Sequence, residues 1–335
     1  MKISEVVNKY GKIYSPYASG LVNHLPMGQL ALYMMGNGVD KVASYSENYV
    51  SRGRLDRVKD EVVELEDINQ CLGNRELYES CLVLIKNEIQ VKGVNKVIEE
   101  TLNKYPLGLS SGLFHTTIRL AYAVEGMNIE RELIDEVVRA LAYYITGYRE
   151  GKVFLKRVKP SEFKAEVEKL FRDPHINGLM DAQPSRGKKL HALYSDPQYL
   201  DMAPLINGNI GEKVSNLLEV LLPIFDKTND IAVLHCITGL HAVLVLQNYF
   251  QDFDYVLDIM TSYIITHLLT VDRGTEAGGV DLEETPYLDW DNIIEKASNS
   301  SNVHTIKFTY SSGRLYDRFG ISDLIQSANM RTLRN

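Results

Sequence analysis

Apolar residues recur at three- and four-residue intervals along most of this chain, with short polar or glycine-containing breaks between the periodic runs. The pattern is clear over residues 130–148, where Leu133, Val137, Leu141, Tyr144 and Ile145 share a helical face. Similar stripes (Leu77, Cys81, Leu84, then Val94, Val97, Ile98, Leu102) predict two helices within residues 76–105, parted near Gly93. Val214, Leu217, Leu218 and Leu221 predict a helix over residues 210–225. Another is expected from a cap at Asn229 or Asp230 to about residue 247, and a further one through residues 255–269. Pro26 suits a first helical turn, which puts His24 at or just before a helix N-terminus. Ser110 or Ser111 is the expected cap of a helix running to about Glu125. After a short helix over residues 290–297, Ser298 to Ser301 offer caps for the last predicted helix.

Persuasive strand alternation and an internal repeat of fixed period are both missing from the sequence. The expected fold is all-α: a compact multi-helix single domain spanning residues 1–335, its helices surrounding a buried histidine-rich site. Residues 152–209 stand apart. They carry Pro160, Pro174, Pro184, Pro197 and Pro204, and are expected to form a loop-rich insertion with one short helix around residues 161–171. A long loop of this kind is often a lid or a site wall. Residues 272–289 are expected to form an acidic loop.

Composition narrows the function. The 335 residues are 45% hydrophobic and 24% charged, with a net charge of -8, which argues against nucleic acid as a partner. No compact Lys/Arg block is longer than Arg186–Gly187–Lys188–Lys189. Cys71, Cys81 and Cys236 have no CxxC spacing and suit a reducing compartment. The first residues lack the features of a signal peptide, and the most apolar run, residues 231–246, is short for a membrane span and contains His235, Thr238 and His241. A cytoplasmic protein without a membrane partner is expected.

Familiar catalytic motifs are missing: there is no GxGxxG, Walker sequence, HExxH or di-iron ExxH pair. Histidines on apolar helices remain. Of the eight, His175 and His191 sit beside polar or turn residues and are expected at the surface, and His241 and His267 have weak cases. His24, His115, His235 and His304 each lie in a different segment beside packed apolar positions. His235 and His241 fall roughly 120° apart on a helix, so both are not expected to face one small site. Lys307 shares a helical face with His304, bordered by Val303, Ile306 and Tyr310. Buried there, it must be paired, neutralised or chemically changed; snorkelling to solvent is the alternative.

The segments Asn23–His24–Leu25–Pro26–Met27, Gly112–Leu113–Phe114–His115–Thr116–Thr117–Ile118–Arg119, Leu234–His235–Cys236–Ile237–Thr238 and Val303–His304–Thr305–Ile306–Lys307 resemble, in order, the signature segments of the questin oxidase-like family. The chain looks like a shorter, bacterial-type member. The resemblance implies a helical oxidoreductase using O2 on an aromatic or quinone-like small molecule, by Baeyer–Villiger-type or ring-cleaving oxidation. Better-known fungal relatives open rings of anthraquinones and related polyketides. It also implies a mononuclear non-haem centre held by His24, His115, His235 and His304, with Lys307 as a carboxylated fifth ligand. Such donors suit Fe(II), with zinc or manganese as alternatives. NADPH is a candidate reductant, though the chain has no fingerprint for it. The competing readings are a helical small-molecule-binding protein without catalysis and a histidine-ligated zinc hydrolase. Tyr14, Tyr17, Tyr122, Tyr143 and Tyr144 are candidates to line an aromatic pocket. Arg119 and Glu125 are candidates to orient ligands or to pair at the surface.

Overall fold

A computed structural model describes residues 1–53, 55–272 and 288–334. Its helices follow the apolar periodicity closely. The pair predicted around Gly93 is Tyr78–Lys92 and Val94–Lys104, and the later helices are Ile210–Thr228, Ile231–Val245, Phe253–Leu269, Trp290–Asn299 and Val303–Phe319. The sheets among the described residues are two-stranded: an antiparallel pairing of Tyr17–Ala18 with Leu21–Val22, and a parallel one of Lys156–Val158 with Pro204–Ile206. The fold is all-α, as expected. No helix among the described residues is long and apolar enough to cross a membrane. Most of the acidic loop expected over 272–289 lies outside the described residues.

The insertion at 152–209 is the largest departure. Instead of mostly extended loop it contains the helices Pro160–Arg172, Pro174–Asp181, Arg186–Ser195 and Pro197–Met202. Pro160, Pro174 and Pro197 each stand at a helix start, where a missing N–H costs nothing, so these prolines begin helices and do not break them. Asp173, Ser185 and Asp196 cap three of these helices with their side chains. His175 and His191 are exposed, as expected. Residues 39–52, charged enough to hide their period, form the helix Val39–Arg52.

Packing assigns the remaining candidates. Tyr17, Tyr122, Tyr143 and Tyr144 are buried core residues, so they fill helix contacts, and Tyr14 is half-buried against the same core. Arg119 and Glu125 do not pair. Arg119 Nε donates to Glu136 at 2.7 Å, and Arg139 approaches the other oxygen of the same carboxylate at 2.7 Å. The two guanidinium groups hold the Glu136 carboxyl below its usual range against the opposing effect of burial. Glu125 instead accepts from the Tyr310 hydroxyl at 2.8 Å, and burial pushes its carboxyl up to about 7. His241 and His267 are core residues on Ile231–Val245 and Phe253–Leu269. Burial pushes both imidazoles down to about 3, with nearby arginines acting in the same direction.

Glu136→Ala strands two arginines in the core, and denaturant unfolding should show a loss of about 3–5 kcal/mol; a loss under about 1 kcal/mol contradicts the assigned pairing. For His241 and His267, the unfolded chain takes up protons near pH 6.5, whereas the folded chain does so only near 3. Between those values the unfolded state binds more protons, so folding stability falls as the pH is lowered. Each residue contributes a slope of about 1.4 kcal/mol per pH unit. The His241→Gln/His267→Gln variant should show a correspondingly flatter stability profile between pH 6 and pH 4, and an unchanged slope contradicts the assignment.

Candidate metal centre

Four helices bring their first turns to one place. His24 is the N-cap of Leu25–Met34, His115 opens His115–Ile129, His235 lies one turn into Ile231–Val245, and His304 is the second residue of Val303–Phe319. These helices pack in a closed cycle: the His24 helix on the His115 helix, that on the His235 helix, then the His304 helix and back to the first. The imidazoles repeat the cycle. Neighbouring ring centroids are 4.5 Å apart for His24–His115, 4.2 Å for His115–His235, 5.1 Å for His235–His304 and 4.7 Å for His304–His24. The His24–His235 diagonal is 6.3 Å. One nitrogen from each ring lies within 4.8 Å of the other three.

Local sequence explains how each ring is aimed. Asn302, not the serines before it, caps the Val303–Phe319 helix, its side chain accepting from His304 N at 3.0 Å. Asp230 caps the His235 helix through Ala232 N at 2.6 Å. The His115 helix starts later than expected. Gly112, Leu113 and Phe114 take left-handed backbone angles of +58°, +60° and +64°, so the helix begins at His115 and not at a serine cap. The two non-glycine residues are strained there. Gly239, one turn past His235, leaves room for the displaced Phe114 ring, which would stand 2.7 Å from a Cβ at that position.

Three rings have a defined tautomer. His24 Nδ1 donates to Val22 O at 2.8 Å and His235 Nδ1 to Ile231 O at 2.6 Å, and His115 Nδ1 donates to Gly112 O. A carbonyl oxygen only accepts, so the proton is on Nδ1 and Nε2 presents a lone pair. His24 Nε2 and His115 Nε2 then face each other at 2.6 Å with no hydrogen between them. Two lone pairs at that distance repel unless a cation lies beside both. A proton fills that role poorly, because burial holds the His24 and His235 imidazoles well below their ordinary range, His115 at about 3 and His304 at about 2. The donor set therefore fits a metal ion: neutral imidazoles, three of them held by a second interaction through the other nitrogen.

Lys307 has no exposed surface, and its Nζ lies 3.5 Å from His235 Nε2. Burial pushes its amine down to about 7, and no salt bridge to a carboxylate is formed among the described residues. It does not snorkel. His115 and His235 are buried, whereas His24 and His304 are half-buried, so the cluster opens on the side of the latter two. Next to that side lies a groove of about 460 Å³ between the Val39–Arg52 helix and Ser298–Ser301. Tyr49, in its wall, accepts from His24 N at 3.1 Å. Tyr45 and Tyr49 were not among the expected pocket tyrosines, although their spacing with Lys41 and Arg52 along one helical face was a readable signal.

His24, His115, His235 and His304 thus share one site, together with the Lys307 amine. His241 does not join them: its Nδ1 lies 3.1 Å from Ser311 Oγ, away from the other rings. Comparison with curated proteins finds no match. The family model described as questin oxidase-like matches residues 21–222, more than half of the chain and the part that carries the first two histidines of the cluster, so the chain belongs to the questin oxidase-like family.

Proposed function

We propose that this protein is an O2-dependent oxidase or oxygenase acting on an aromatic or quinone-like small molecule at a mononuclear non-haem iron centre. The observation that carries the reading is the convergence of four imidazoles whose lone pairs demand a cation, in a member of a family named for an oxidase. His24, His115, His235 and His304 are the proposed ligands. Bound Fe(II) supplies one-electron chemistry with O2 that the side chains here lack.

The chain's own residues prepare the site. The carbonyls of Val22, Gly112 and Ile231 hold three rings in the tautomer that binds metal and raise the basicity of Nε2. The four helix N-termini disfavour protonated imidazole and favour an anionic donor. Lys307 is the proposed source of that donor. Its neutral amine adds to CO2, forming an N–C bond as one C=O π bond is lost and one proton is released, and the resulting carbamate would supply an anionic oxygen donor for a metal held by the four histidines. This replaces a buried amine that has no carboxylate partner with an anion beside four positive helix ends. On the open side, the groove flanked by Tyr45 and Tyr49 is the proposed place for a flat aromatic substrate. Among the described residues Lys41 and Arg52 line it and no carboxylate does, which favours a phenolate or another acidic aromatic.

Anaerobic reconstitution should load about one equivalent of iron. His235→Ala and His304→Ala should each weaken metal binding at least about a hundredfold. Full metal content in either variant sinks the ligand assignment, and less than half an equivalent in the wild type counts against an iron centre. With labelled bicarbonate, a carbamate carbon resonance should appear in the wild type and vanish in Lys307→Ala. Oxygen-electrode measurements with hydroxyanthraquinones, with and without NADPH, test the reaction. Metal-dependent hydrolysis without O2 uptake identifies a hydrolase instead, and binding without turnover identifies a carrier.

In the same assay Tyr49→Leu should raise KM at least about tenfold by removing an aromatic wall of the groove. An unchanged KM means that the substrate binds elsewhere.

A further inference from the structure

A second cavity, of about 590 Å³, lies on the other side of the strained turn that carries His115. One wall is the turn itself, Ser110 to Leu113. Another is the Arg186–Ser195 helix of the insertion, which contributes Arg186, Gly187, Leu190, His191 and Tyr194. Arg149 and His267 complete it. The Ser111 hydroxyl ties two walls together, accepting from Arg149 N at 2.8 Å.

Three features point to a ligand. His267 is only 3% exposed, yet its Nδ1 has no hydrogen-bond partner among the described residues. A buried polar atom of this kind is costly unless something completes it. The cavity also has cations that its own carboxylates do not fully answer. Arg186 donates to Asp230 at 2.8 Å, one of its five N–H groups, and Arg149, which is exposed like Glu150 beside it, donates from Nη1 to the carbonyls of Gly73 and Tyr148. Glu150 is the one acid in the lining, and it is exposed. Finally, one of the compact basic blocks of an acidic chain, Arg186–Gly187–Lys188–Lys189, forms the first turn of the helix beside this cavity. Its helix N-terminus adds to the attraction for an anion. Leu113, Leu190 and Tyr194 supply an apolar body to the site.

We propose that this cavity is a binding site for an organic acid with an apolar, aromatic body. Its carboxylate faces Arg186 and Arg149, and its acceptor atoms complete His267. The site is separate from the histidine cluster and its occupancy requires no metal. It shares a wall with the cluster, because Gly112, which lines the cavity, also supplies the carbonyl that holds His115.

The test is calorimetric titration of the full chain, metal-free, with 2-naphthoate, its neutral counterpart 2-naphthalenemethanol, and inorganic phosphate. 2-Naphthoate should bind at least tenfold more tightly than either comparison compound. Arg149→Gln and Arg186→Gln should each weaken it about tenfold or more, as expected for the loss of a charge-assisted hydrogen bond. Arg186 also touches the Asp230 cap, so a second kind of variant is needed. A Cβ at Gly187 meets nothing within 4 Å, and Gly187→Trp should fill the cavity and abolish binding while leaving both arginines and the thermal unfolding midpoint in place. Three results overturn the proposal: no binding of 2-naphthoate, equal binding of the neutral compound or of phosphate, or unchanged binding in a folded Gly187→Trp variant.

Discussion

The centre of this structure depends on a repulsion. His24 and His115 point unprotonated nitrogens at each other at 2.6 Å, and each is kept from turning by a carbonyl on its far side. A protein relieves such a contact by rotating a ring, by protonating it or by binding a cation. Rotation breaks the bonds from Nδ1 to Val22 and Gly112, and protonation is opposed by burial. The cation is the remaining relief. The same reasoning extends to Lys307, whose amine sits beside His235 without an acidic partner among the described residues. A buried cation next to four inward imidazoles is the least favourable occupant of that position, and a neutral or anionic form is the most favourable.

The spacing of the histidines along the chain follows from the helices that carry them. Each of the four lies at or near an N-terminus, and all four N-termini meet. After each such helix the chain ends far from the site and must return before the next one can start. The intervening helices make those returns, which is why the four histidines are separated by dozens of residues and form no short motif. Meeting N-termini also set the electrostatics, since partial positive charge there opposes imidazolium and favours bound anions. Fold and donor chemistry are therefore two consequences of one arrangement.

Much of this was legible in sequence, for a physical reason. Core helices show their period because one face must be apolar, so the helices around Gly93 and those between residues 210 and 299 were readable to within a few residues, whereas the helix Asp323–Leu333 was not read. His24 at a helix mouth was readable from Pro26. His304 and Lys307 share a face by spacing alone. Convergence was not readable, because nothing local in His235 states which other helix it meets; only the family resemblance chose it over His241. The insertion was misread because proline is ambiguous: it breaks a helix at an interior position and starts one at the first. The caps Asp173, Ser185 and Asp196, each just ahead of a new helix, were the signal that separates the two. Tyr45 and Tyr49 were passed over because Asp40, Lys41, Glu47 and Arg52 blur the apolar period of their helix, although the tyrosines share one face.

The left-handed turn before His115 shows how much the site constrains its surroundings. Leu113 and Phe114 each give up roughly 1–2 kcal/mol to stand in that conformation. A regular helix capped at Ser110 or Ser111 avoids the cost, but it commits the Gly112 carbonyl to the helix ladder and takes it from the His115 ring. Offsetting interactions surround the turn: Thr117 Oγ1 donates to Leu109 O at 2.8 Å, Ser111 bonds Arg149, and Phe114 packs over Gly239 and near His267. The turn is thus held from several sides in a strained shape whose direct product is the orientation of one imidazole. Strain retained beside a cluster of neutral donors is what a pre-organised metal site requires, because a ring free to turn pays an ordering cost on binding that a fixed ring does not.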